Sequence, residues 1–254
     1  MLSSTAILHI LNQLIFKKSY LTGFYYLNNI GFSGGYHSDF SGSYNSIDSD
    51  VKYEHIKQNF VDTKNSKYIQ SSDNYIKTNN KKVIFVALQT VNDIVAQYAY
   101  ITTFNLLKQI IKIYKNSTSI EIVIKRHPYC NNASIKKYLE KIAKYKNVII
   151  TNANIQSIIK NSDVICVCNS GVGFEALLQL KPVITTGKCD YSNVTYVSKS
   201  FKDLKLNISK ILNGNIQYNK KTIINFIEYY LNNDNVQLCN LKEKIETEMN
   251  KILK

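Results

Sequence analysis

The 254-residue sequence predicts an α/β fold built on a mostly parallel sheet. Three observations carry that expectation. Short β-branched, apolar runs recur from residue 81 onward; segments with helical periodicity follow them; and the connections between the two are short. Strands that alternate with helices in this way form a sheet covered on both faces.

The elements follow in order. "KVIFVAL" (82–88) reads as a buried strand, because only a strand covered on both sides is apolar without a break. "YITTFNLLKQIIKIYK" (100–115) repeats its apolar residues at helical spacing, "IEIVIK" (120–125) is a second strand, and "SIKKYLEKIAKY" (134–145) a second helix. "NVII" (147–150), a short helix near 154–161, "DVICVC" (163–168), a helix from Gly171 to about Leu180, and "PVITT" (182–186) complete a Rossmann-like unit. Three helices, at 200–213, 221–232 and 240–253, are expected to close over it.

The first eighty residues are less regular. Ile7, Ile10, Leu11, Leu14 and Ile15 recur at helical spacing and predict an amphipathic helix over 5–16. The segment 31–50 is rich in Gly, Ser, Tyr and Asp with no sustained period, and 62–82 reads as a polar connector. The expected division is therefore a reduced N-terminal region, 1–80, and a Rossmann-like domain with its closing helices, 81–254. Eighty residues fall short of the ~100–150 of a typical domain.

Composition narrows the function. The net charge is +14, yet Arg126 is the only arginine. Bidentate reading of phosphates and base edges is arginine chemistry, so nucleic acid is not an expected partner. Attraction to an anionic substrate or to an anionic membrane surface is expected instead, and binding to anionic vesicles should fade with added salt. Five cysteines without a CxxC pair predict neither a disulfide framework nor a metal site, and a cytoplasmic location. Cys166 and Cys168 alternate on one strand and read as small buried hydrophobes. The apolar N-terminal run is broken by His9, Asn12 and Gln13, which fits neither a signal peptide nor a membrane span.

A doubly wound sheet binds its ligand at the carboxyl ends of its strands, and three unusual segments fall there: "LQTVND" (88–93), "KRHPYC" (125–130) and "NSGVGFEALLQLKPVITTG" (169–187). In the last, Asn169 and Ser170 sit at an N-cap position. Gly171 and Gly173 leave room for an anion at the helix N-terminus, or else permit tight packing. Glu175, one turn in, stands where a carboxylate accepts from ribose hydroxyls. "GVGFEA" also fits a dinucleotide fingerprint with Asp190 as ribose acid, although that fingerprint normally follows the first strand of its domain. Asp93, four residues after Gln89, either attacks an anomeric carbon or caps the following helix.

The order "IVIKRHP", then "SDVICVCNSGVGFEALLQLKPVITTGKCDY", with "IFVALQTVND" ahead of both, resembles the bacterial capsule polysaccharide synthesis family, which includes Kdo transferases that use CMP-Kdo. The resemblance covers residues 82–195. It implies the C-terminal, nucleotide-binding domain of a GT-B glycosyltransferase, with a CMP-sugar as donor, no cofactor, and a glycan or glycolipid acceptor at the inner membrane or in a polysaccharide assembly complex. By matched position it implies that Ser170, Gly171 and Gly173, with Asn169 beside them, hold the CMP phosphate and Glu175 the ribose. Lys125 or Arg126 would offset phosphate charge, His127 would lie beside the phosphate or the sugar carboxylate, and Asp93 would carry a retaining displacement. Gln89, Tyr191, His37 and Asp39 are candidate donor or acceptor contacts. Two other readings stay open: a non-catalytic, nucleotide-binding member of a capsule assembly or export complex, and an NAD(P)-dependent enzyme.

Overall fold

The computed structural model describes residues 15–28, 51–77, 80–216, 219–233 and 235–252. Six strands form one sheet: β3 (Lys82–Ala87), β4 (Ile120–Lys125), β5 (Val148–Ile150), β6 (Val164–Val167), β7 (Val183–Thr185) and β8 (Tyr196–Val197). Their order is β5-β4-β3-β6-β7-β8, and every pairing is parallel. Renumbered from β3, that is 3-2-1-4-5-6, the dinucleotide-fold order, whose direction reverses between β3 and β6.

Strand alternation separates two cores. Val83, Phe85 and Ala87 point to one face of β3, Ile84 and Val86 to the other. The second face is covered by α2 (Thr103–Tyr114), α3 (Ala133–Ile142) and α6 (Phe201–Leu212). On α2 the buried stripe is Leu106, Leu107, Ile110 and Ile111, each such side chain contributing ~1.5–3 kcal/mol. The first face takes α1 (Val51–Lys57), α4 (Ile155–Lys160), α5 (Gly171–Leu178) and α7 (Lys220–Asn233). A last helix, α8, spans Leu241–Ile252. Side-chain caps set the starts: Thr102 for α2, Asn132 for α3, Asn154 for α4, Ser170 for α5, and a Ser200–Asp203 capping box for α6.

A second, antiparallel sheet joins β1 (Ile15–Lys18), β2 (Phe24–Asn28) and β9 (Asn235–Gln237). Here the structure corrects the sequence reading, since Ile15 and Phe16, the end of the expected helix, lie in a strand; the rest of that segment is outside the described residues. The turn after β1 drives Tyr20 and Leu21 into the first core, where Tyr20 stacks on Phe174 at 5.4 Å and Tyr230 at 6.0 Å. That packing fixes the hairpin over the carboxyl edge of the sheet. Among the described residues no helix is long and apolar enough to cross a membrane.

Candidate functional site

A cavity opens at the carboxyl ends of β3, β4 and β6, at the switch point. Gln89 and Asn169 close its floor. Gln89, after β3, donates through Nε2 to Asn169 Oδ1 at 2.9 Å, and its Oε1 accepts from the Asn169 backbone at 3.3 Å. Asn169 Nδ2 donates to the carbonyls of Val95 at 2.7 Å and Lys188 at 3.3 Å. Both side chains are only 2% exposed. Asn169 therefore does not cap α5, as the sequence suggested. It ties three loops together and holds the two halves of the sheet in register.

Ser170 is the cap, accepting from Val172 N at 3.4 Å. Gly171 lines the cavity and Gly173 does not. An added Cβ at Gly171 would meet Tyr20 Cδ1 at 3.2 Å, whereas one at Gly173 would lie 2.5 Å from the Tyr191 hydroxyl. The expected roles thus divide: Gly171 stands at the cavity wall against Tyr20, while Gly173 makes room for a buried tyrosine. Tyr191, expected as a substrate contact, is 0% exposed and donates to the Ser170 carbonyl from within the core. Asp190 is buried beside it and accepts from the hydroxyls of Tyr20 at 3.1 Å and Tyr230 at 3.4 Å, which removes it from any ribose-binding position.

Glu175 lines the cavity yet is only 4% exposed. It accepts from Ser66 Oγ at 2.9 Å and Gln156 Nε2 at 2.7 Å. Burial pushes its carboxyl up from 4.5 to about 7, against the opposing pull of the Ser66 hydrogen bond and the Lys125 charge. A carboxylate raised in this way binds its proton more tightly folded than unfolded, so stability falls as pH rises from about 4.5 to about 7 and is flat beyond. The full loss is about 3 kcal/mol. Glu175→Gln, which keeps an acceptor for Gln156 and a partner for Ser66, should remove that slope. In thermal melts the wild type should lose ground to the variant from pH 5 to about 7 and hold level from there to pH 8; a constant gap throughout would refute the buried-carboxylate account.

At the end of β4, Lys125 is already engaged. Its ammonium donates to Gln70 Oε1 at 3.0 Å and to the carbonyls of Asn152, at 3.2 Å, and Ala153. It is a brace, and its charge acts on the cavity at second hand. Arg126 lines the cavity and makes no hydrogen bond or ion pair with any described residue. His127 Nδ1 accepts from Tyr129 N at 3.2 Å, which leaves the proton of the neutral ring on Nε2. Burial lowers its pKa, partly offset by Asp93, so the ring is neutral at pH 7. Asp93 takes the capping role that the sequence offered and also lines the cavity. One oxygen caps a 3₁₀ turn (Ile94–Tyr98) by accepting from Val95 N at 3.2 Å, and the half-buried carboxylate faces the cavity, where Lys17, Lys67, Tyr68 and His127 all feel its charge.

Sequence reasoning missed an entire wall. Residues 63–77, read as a connector, cross the carboxyl edge as a strap pinned to the start of α4. Asn154 N donates to Asp73 O at 2.7 Å, Gln156 Nε2 to Asn65 O at 2.9 Å, and Tyr75 N to Ser157 Oγ at 2.9 Å. The strap brings Ser66, Lys67, Tyr68 and Gln70 to the cavity, and β1 brings Lys17 and Lys18. Tyr68 packs edge-on against His127 at 5.0 Å. The only local hint was the polar richness of 62–82. His37 and Asp39 lie outside the described residues. Among the described residues no three His, Cys, Asp or Glu side chains gather as a metal site would require.

No curated protein sequence matches this chain. Among solved structures it is similar to the β-Kdo 2,4-transferase of Thermosulfurimonas dismutans KpsC, with a TM-score of 0.57, 17% identity, and coverage of 84% of this chain and 70% of that one. It is similar also to the β-Kdo 2,7-transferase of the same organism's KpsC, with a TM-score of 0.55, 18% identity, and coverage of 84% and 67%. At that identity the likeness establishes the GT-B nucleotide-domain fold. Residues 28–198 match the family described as "Capsule polysaccharide biosynthesis protein", and with two thirds of its length inside that match the chain belongs to this family.

Proposed function

We propose that the chain is a glycosyltransferase of surface polysaccharide synthesis that passes an acidic, Kdo-like sugar from a CMP-activated donor to a glycan or glycolipid. The observation that carries the reading is a cavity at the sheet's switch point in which basic groups surround one accessible carboxylate, Asp93. In this reading residues 81–254 grip the nucleotide, β1 and the strap reach the sugar end of the donor, the remainder of 1–80 faces the acceptor, and no cofactor takes part. The N-terminal turn of α5, at Ser170 and Gly171, and Arg126 receive the phosphate. Each Glu175 oxygen keeps a lone pair for a ribose hydroxyl, since each accepts one hydrogen bond from the protein. His127 donates from Nε2 to the phosphate or to the sugar's carboxylate. Asp93 attacks the anomeric carbon as CMP leaves with the glycosidic electron pair, and an acceptor hydroxyl then displaces Asp93 from the glycosyl–enzyme ester, regenerating its carboxylate, with the hydroxyl proton passing to water. An acceptor anchored in lipid fits a peripheral position at the inner membrane.

Calorimetric titration with CMP, UDP and NAD tests this reading. Saturable CMP binding that Ser170→Ala weakens by about tenfold supports it. NAD binding that CMP fails to displace would return the chain to the dinucleotide enzymes, and CMP binding with no sugar released from any donor would favour a non-catalytic member of an assembly complex.

A further inference from the structure

The cavity carries more positive charge than a single phosphate requires. Arg126 enters from the end of β4, Lys17 and Lys18 from β1, and Lys67 from the strap. Lys67 is part-buried, and its ammonium makes no hydrogen bond or ion pair with any described residue. Its neighbours hold it there. Ser66 donates to Glu175 while the Ser66 carbonyl accepts from Thr22 Oγ1 at 3.3 Å, and Gln70 Oε1 accepts from both Lys125 and the Ile155 backbone. Burial, and then the Lys17 charge, lower the Lys67 pKa, with Asp93 only partly offsetting them. A desolvated cation without a partner, next to two like charges, is held at a cost that an arriving anion relieves.

We propose that Lys67, with Lys17 and Lys18, forms an anion subsite that receives a second negative group of the donor, separate from the phosphate at the start of α5. The proposal rests on the nucleotide-sugar reading above and deepens it. Two donor types offer such a group: a sugar carboxylate beside a single phosphate, or the second phosphate of a nucleoside diphosphate sugar. Asp93 lies among these same cations, so an anion at Lys67 would hold the sugar's reactive end against that carboxylate.

The test combines calorimetry with acetylation of lysines, read by mass spectrometry, on the full chain and on Lys67→Gln. The probes are CMP, CMP-N-acetylneuraminate, UDP-N-acetylglucosamine and inorganic pyrophosphate. Lys67 should be protected by a two-anion probe and not by CMP, and Lys67→Gln should weaken that probe by about tenfold while CMP affinity changes by less than about twofold. Loss confined to CMP-N-acetylneuraminate identifies the carboxylate, and loss confined to the UDP-sugar identifies the second phosphate. Equal loss for CMP overturns the separate subsite. Heat from CMP with Lys67 unprotected by every two-anion probe overturns the subsite and leaves the nucleotide reading standing. Pyrophosphate protection with no heat from any nucleotide does the reverse, and silence from all probes sinks both.

Discussion

Replacing Asp93 with asparagine is expected to reduce sugar transfer by about a thousandfold or more, ~4 kcal/mol of barrier, while CMP affinity stays within about twofold. The two effects separate because they sit on different strand ends. Asp93 follows β3, whereas the turn proposed to receive the phosphate follows β6. Asparagine is the informative substitution because its Oδ1 still accepts from Val95 N, the bond that Asp93 makes at 3.2 Å, so the 3₁₀ turn and the Val95 carbonyl bound by Asn169 stay in place. What it lacks is the negative charge that attacks carbon. Removing that charge also relaxes its pull on Lys17, Lys67 and His127, so those three groups should titrate lower in the variant. Single-turnover assays beside calorimetry make the measurement. Parallel loss of turnover and CMP binding would mean that Asp93 shapes the cavity and takes no part in the chemistry.

The parallel sheet was legible because its information is local. The strands β3 to β7 are short, mostly apolar runs, with Glu121 of β4 the exception, and that signal survives without knowledge of partners. The hairpin was not legible. The pairing that makes a strand of "IFKK" is with β2, and β2 is held in turn by β9, more than two hundred residues further on. Periodicity over a dozen residues read the same apolar spacing as helix. The site split along a similar line. Asp93, Arg126, His127, Ser170 and Gly171 lie at strand ends, which topology alone marks as ligand positions, and the structure brings them to one cavity. Lys67 and Tyr68 reach it only because backbone groups on a low-complexity strap find partners at Asn154, Gln156 and Ser157, a docking that no residue of the strap announces. Asn169 and Gln89 failed in the opposite direction. They are polar, they stand in the right place, and they are consumed by each other.

Gly173→Ala should be the most damaging added methyl among the described glycines, with a net loss of about 1–3 kcal/mol. Helix propensity alone argues the other way, since alanine in place of glycine inside α5 gains ~1 kcal/mol. Sterics decide against it. The new Cβ would stand 2.5 Å from the Tyr191 hydroxyl, 2.7 Å from Cε2 and 2.8 Å from Cζ. A flexible side chain would step aside, but this ring is walled in, with Tyr20 at 5.5 Å and Phe174 at 6.3 Å, and its hydroxyl is committed to the Ser170 carbonyl. Moving the ring breaks that bond and overpacks the aromatic cluster, for ~1–3 kcal/mol of strain plus ~1 kcal/mol for the hydrogen bond. Gly171→Ala is the internal control. Its Cβ meets only Tyr20, with Cδ1 at 3.2 Å and Cγ and Cβ at 3.9 and 4.0 Å, so denaturant midpoints should fall by less than for Gly173→Ala while CMP affinity drops. Combining Gly173→Ala with Tyr191→Ala should cost less than the sum of the two, because the second change removes the obstacle that the first one strikes. Additive losses in urea melts would place the damage elsewhere in α5. A sub-additive result would show that Gly173 is held by its contact with the Tyr191 ring.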